Sequence, residues 1–207
     1  MISIITGDII NSRKVANQDN WIKPLKTVLS KYGRAPKNWE IFRGDSFQLE
    51  ISKPEESFWV ATYIKAHIRS TKDLDVRMAI GIGQKTFTAP KITESNGPAF
   101  INSGEQFELL KKIRKNLAIK SPWPNLDSEL NLMINLASIA MDKWSPSSAE
   151  LVVLSMGNDN LSQKELGEKI GRRQSSISER QSRAHYGEIA ELEIFFRKKI
   201  LHQLEIQ

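Results

Sequence analysis

The chain has 207 residues, of which 40% are hydrophobic and 26% charged, with 30 Lys and Arg against 24 Asp and Glu for a net charge of +6. That length and mixture allow one large or two small domains with a true core, and they exclude a disordered, collagenous or low-complexity chain. The sequence has no Cys and only three scattered His (His67, His185, His202), so disulfides, thiol catalysis and the usual zinc sites are excluded as well.

Met1 to Asp8 turns polar too soon for a signal peptide, and no apolar run approaches the roughly 20 residues of a membrane helix, so a soluble cytoplasmic protein with no membrane partner is expected. Ile2 to Ile5 is a β-branched run stopped by Gly7-Asp8 and predicts a buried strand. Trp21, Leu25, Val28 and Tyr32 recur at helical spacing, with Asp19 or Asn20 as cap and Gly33 as stop. Trp39 to Arg43 and Phe47 to Ile51 flank Gly44-Asp45-Ser46, a hairpin signature. Pro54 opens a second helix with Phe58, Ala61, Ile64 (or Lys65) and Ile68 on one face. Val76, Met78, Ile80 and Ile82 alternate as a strand ending at Gly83. The order β-α-β-β-α-β is that of the ferredoxin-like split unit.

A long polar loop, Gln84 to Asn96, follows, and then a predicted helix from about Gly104 to Ala118 with Phe107, Leu110, Ile113 and Leu117 on one side and Lys111, Lys112, Arg114 and Lys115 on the other. Ser121-Pro-Trp-Pro124 marks a domain boundary. Asp127 to Trp144 predicts a broadly apolar bridging helix, and three helices plus a C-terminal one complete the chain. The expected architecture is α+β: a ferredoxin-like domain over residues 1–120, a bridging helix over 121–146, and an all-α domain over 147–207.

Within the last part, Ser162 and Glu165 form a capping box, Leu166 and Ile170 face inward, Gly167 admits a close neighbour, Gly171 is the turn, and Ile177 packs back from the next helix. This spacing resembles the helix-turn-helix of bacterial repressors and response-regulator output domains. The resemblance makes the helix from Gln174 the recognition helix. Gln174 suits two-point reading of adenine, Ser175 and Ser178 are small donors, and Arg172, Arg173, Arg180 and Arg183 reach phosphates. Arg180 departs from the pattern, standing where repressors bury an apolar side chain. Residues 1–120 hold 20 basic and 12 acidic side chains, and residues 121–207 hold 10 and 12. The case for double-stranded DNA therefore rests on the local surplus around the second helix, not on overall charge. The alternative is a three-helix bundle for protein contact. Domains of this kind bind as homodimers, and Ile189, Leu192 (or Glu193), Phe196, Ile200 and Leu204 form a stripe that serves either as dimer seam or as packing against the first domain.

In a β-α-β-β-α-β unit the end of the first strand and the turn between the second and third lie on one edge. Asp8 and Asp45 occupy those points, so the pair is a candidate site for Mg²⁺ or Mn²⁺. Ordinary turn chemistry is the alternative for both Gly-Asp pairs. The loop from Ile9 to Gln18, with Asn11, Ser12 and Arg13, offers groups for a phosphorylated small-molecule ligand. Gly7-Asp8-Ile9, Gly44-Asp45-Ser46-Phe47 and Arg77-Met78-Ala79-Ile80-Gly81 together resemble class III nucleotide cyclases and related palm-type domains. Where those carry an Asn for ribose and an Arg for phosphate, this chain reads Gly97-Pro-Ala-Phe-Ile-Asn-Ser-Gly-Glu105. That leaves Asn102 as the candidate and puts Glu105 in place of Arg, so cyclase turnover is not expected.

Nearly the whole chain also resembles the SatD family of bacterial proteins, through Ile5 to Arg13, Arg43 to Phe47, Arg77 to Gly83, Ser95 to Phe100 and Ser103 to Glu105. The expectation is a transcriptional regulator whose cyclase-like domain senses a ligand. The rival expectation is a metal-dependent nucleotide-binding or phosphoryl- or nucleotidyl-transfer enzyme using Asp8 and Asp45.

Overall fold

The computed structural model describes every residue except Ala16, Asp159 and Gln207. Its first part runs β1 (Ile2–Ile10), α1 (Asp19–Leu29), β2 (Trp39–Phe42), β3 (Ser46–Ile51), α2 (Ser57–Arg69) and β4 (Asp75–Gly83), the β-α-β-β-α-β order expected from the sequence. Then come α3 (Pro98–Ile113), β5 (Leu117–Lys120), α4 (Pro124–Met141), α5 (Pro146–Met156), α6 (Gln163–Lys169), α7 (Gln174–Arg183) and α8 (Tyr186–Glu205). The class is α+β. All five strands form one mixed sheet in the order β2-β3-β1-β4-β5, antiparallel except for the β4–β5 pair.

Local chemistry explains most boundaries. At the start of α1 the cap is neither Asp19 nor Asn20: Asn17 Oδ1 accepts from the Asp19 amide at 2.9 Å. Pro24 lies inside that helix and has no amide for the Asn20 carbonyl. Thr71 Oγ1 donates to that carbonyl instead, at 3.1 Å. Helix α3 corrects the sequence reading at both ends. It starts six residues earlier, with Pro98 in its first turn, and it stops at Arg114, whose φ of 55° is left-handed. Leu117, expected on that helix, instead begins β5, opposite Met78.

Strand β4 reads large on one side and small on the other, and its two faces pack accordingly. Val76, Met78, Ile80 and Ile82 join the main core with α1 and α2, while α3 crosses Ala79, Gly81 and Gly83. A Cβ at Gly81 would lie 2.2 Å from the Ser103 amide nitrogen, so the close approach of α3 requires glycine there. Helix α2 is buried on nearly every side, including the position of Lys65. The sequence suggested one apolar face; α5 and α8 cover the other, and Phe58 stacks on Phe196 with ring centroids 5.5 Å apart. One apolar cluster thus runs from the sheet through α2 to Ile189, Phe196 and Ile200 of α8.

Candidate functional site

Asp8 stands near the end of β1, in register with Ser46 of β3 and Arg77 of β4. The β2–β3 turn passes through left-handed Arg43 and Gly44 (φ 51° and 91°) and delivers Asp45 to the same end of the sheet. The Asp45 carbonyl accepts from the Ile9 amide at 3.0 Å, and its Oδ2 accepts from Ser12 Oγ at 2.6 Å. Two bonds therefore fasten the hairpin turn to the end of β1, beside Asp8.

Asp8 is half-buried, with Oδ2 3.5 Å from Arg77 Nη1, a loose ion pair. Its Oδ1 and the Arg77 Nε are both buried with no hydrogen-bond partner among the described residues. Burial raises the Asp8 pKa above the usual carboxylate value and the Asp45 charge adds to this, while Arg77 and Lys111 oppose it. Two carboxylates at one sheet end, with one oxygen unpartnered, fit Mg²⁺ or Mn²⁺, which take oxygen ligands and complete their shell with water and phosphate oxygens. Asp8 and Asp45 would hold such an ion, and among the described residues no cluster of three or more His, Asp or Glu offers a fuller site. The ion would supply charge neutralisation at a phosphoryl group.

The other expected ligand-binding residues are not all gathered here. Ser12 is buried and committed to Asp45, and Arg13 is exposed beside it. Asn11 has a left-handed φ of 65° and donates from Nδ2 to the Asp73 carbonyl at 3.1 Å. Ala16 of the same loop lies outside the described residues. Asn102 is elsewhere: its Nδ2 donates to the Ile82 carbonyl at 2.8 Å. Ile82 is five residues along β4 from Arg77, about 16 Å at the usual strand rise. Glu105 pairs with Lys120. Arg77, which the sequence placed only within a motif, is the side chain beside Asp8 that the sequence did not single out. Its signal is a charge interrupting an apolar strand.

At the other candidate site, Ser162 Oγ accepts from the Glu165 amide and Glu165 Oε2 accepts from the Ser162 amide. Gly171 turns with φ 66°, and Leu151, Leu166 and Ile177 form a small core. Gly167 admits the Arg172 carbonyl, which would lie 2.6 Å from an added Cβ. Arg172, Arg173, Gln174, Ser175, Ser178 and Arg183 are all exposed. Arg183 pairs with Glu179, and Arg180 is half-buried. Ile177 of α7 and Ala184, which caps it, are buried, and half-buried Gln181 donates from Nε2 to Ser155 Oγ at 2.9 Å. Arg180, like Gln181, is neither buried nor fully exposed and stands at the border of the buried positions.

The family model of SatD matches residues 1–202, almost the full length. The chain belongs to the SatD family. No curated protein and no solved structure matches this SatD-family chain. Among its described residues no helix is long and apolar enough to cross a membrane.

Proposed function

We propose that this protein is a cytoplasmic DNA-binding transcriptional regulator, with a ferredoxin-like, nucleotide cyclase-like domain that senses a phosphorylated ligand and a helix-turn-helix formed by α6 and α7. The observation that carries this reading is the sorting of α7. Ile177 is buried and Gln181 bonds to Ser155, while Gln174, Ser175 and Ser178, with Arg172 and Arg173 just before the helix, are exposed. The antiparallel neighbours β2-β3-β1-β4 support the ferredoxin-like part, with β5 added at one edge.

Fluorescence anisotropy against a selected operator and a random duplex tests the reading. Binding should weaken steeply with salt. Arg173→Ala should weaken both duplexes alike, and Gln174→Ala should lose about 1–3 kcal/mol of discrimination at one base pair. Affinity that never exceeds the random-duplex value on any selected sequence would sink it.

The regulator would act as a homodimer. Ile189, Phe196 and Ile200 of the expected seam are buried inside the chain. An exposed apolar stripe lies on α4, where Leu132, Leu136 and Ile139 are 63%, 60% and 61% exposed. Leu136→Arg is expected to leave a monomer in sedimentation velocity.

A second reading, a metal-dependent phosphoryl- or nucleotidyl-transfer enzyme, is favoured by the unpartnered Asp8 oxygen. It requires nucleoside triphosphate turnover with Mn²⁺ that vanishes in Asp45→Ala.

A further inference from the structure

A cleft of about 1150 Å³ opens where β1 and β4 meet the turns before β5 and α5. Lys14, Lys72, Arg114 and Lys143 line it; all four are exposed, and none is ion-paired among the described residues. Arg69 and Arg77 also line it, with two acids, Asp73 and Asp75. Asp75 is already engaged by Lys65 Nζ at 2.7 Å and Arg69 Nη1 at 3.2 Å. Six cations against two acids leave the concavity a surplus of positive charge. Field lines concentrate in such a recess.

The backbone defines the same recess. Among the described residues five non-glycine ones have left-handed φ, and three of them, Asn11, Asp73 and Arg114, line this one cleft. Arg114 closes α3, and these turns shape the wall of the recess. Ser145 and Pro146 bring the start of α5, an eleven-residue helix, to the same wall, adding a positive dipole end.

We propose that this cleft binds a compact oligophosphate, the di- or triphosphate group of a small molecule, and that Arg69 and Trp144 convey its presence to α7. The cations converge on a recess from several sides, which suits a compact anion better than a duplex. Arg69 Nε donates to the Trp144 carbonyl at 3.1 Å, and Trp144 Nε1 donates to the carbonyl of Ala184, which closes α7, at 2.8 Å. The second half of the proposal rests on reading α7 as a DNA-binding helix; the first half does not.

The test is calorimetric titration of the full chain in EDTA, so that no divalent ion at Asp8 and Asp45 contributes. The probes are tripolyphosphate, a nucleoside triphosphate and the corresponding nucleoside. Both phosphates should bind and the nucleoside should not. The double variant Arg114→Gln/Lys143→Gln should weaken binding at least tenfold with an unchanged melting temperature, and Lys112→Gln, an exposed α3 lysine outside the cleft, should leave it unaltered. No heat from either phosphate, an equal loss in Lys112→Gln, or an effect of the double variant on duplex DNA alone would overturn the site. Tripolyphosphate should also change operator affinity in wild type but not in the double variant. Operator affinity that ignores tripolyphosphate overturns the coupling. Absence of DNA binding overturns the regulator reading while the titration stands.

Discussion

His67 lies in α2, edge-on to Tyr63 with ring centroids 4.6 Å apart, and its Nε2 is buried without a hydrogen-bond partner. Burial, helped by the Lys31 charge, lowers its pKa from 6.5 to about 4. The folded state therefore resists a proton that the unfolded chain accepts. The resulting stability is fully present above pH 6.5 and is lost as pH falls toward 4. Allowing for partial solvent contact, the loss should be about 1–2 kcal/mol, and His67→Gln should flatten that part of a pH series of urea midpoints. Lys65, 1% exposed, holds Asp75 Oδ1 and Asp142 Oδ1, each at 2.7 Å. Lys65→Met should destabilise by about 3 kcal/mol, the low end for a broken buried pair, because Asp75 keeps Arg69 and the Val76 amide. Adding Asp142→Asn should recover part of the lost melting temperature. That Asp8 and Asp45 fall at one end of the sheet was legible from the strand order and the Gly44-Asp45 turn, although β1 continues past Gly7-Asp8 to Ile10 instead of stopping there. The cleft cations were not, since Lys14, Lys72, Arg114 and Lys143 are far apart in sequence and only the fold gathers them.

At the scale of elements, the sequence was clearest where a local rule sufficed. The Ser162–Glu165 capping box, the Gly44-Asp45 hairpin and the alternation of β4 all needed only neighbours in the chain. It was least clear around residues 98–120. Leu117 continues the three- and four-residue spacing of Phe107, Leu110 and Ile113, so the stretch reads as one helix. What breaks it is a left-handed Arg114 with no glycine or proline to announce it. Strand β5 is only four residues long and exists because β4 offers an edge; that information is not local. The α6–α7 turn is a case where local rule and tertiary contact agree, and it should be correspondingly brittle. Gly167→Ala must displace the Arg172 carbonyl, at about 1–3 kcal/mol for overpacking. Hydrogen exchange should accelerate in α6 and α7 while β1 and β4 amides keep their protection. Equal acceleration in the sheet would show that these helices do not open as a separate unit.

At the scale of the whole molecule, the decisive element is α2. Because it is buried nearly all round, it packs on the sheet with one side and on α5 and α8 with the other, so the sheet and the C-terminal helices share a core rather than meeting across a linker. Phe196 is the test of that sharing: it is fully buried, stacked on Phe58, and belongs to the same cluster as Ile5 and Phe47 of the sheet. Truncating a buried Phe costs about 3–5 kcal/mol, and for a chain of this size each kcal/mol lowers the melting temperature by roughly 2–4 °C. Phe196→Ala should therefore move the transition down by on the order of 10 °C as a single calorimetric peak, with sheet and helix signals melting together. If the C-terminal helices formed their own core, the same substitution would split the peak and leave the sheet transition in place. One peak would also mean that a ligand bound at the sheet end raises the melting temperature of the C-terminal helices in the global transition, even where α6 and α7 open locally below it.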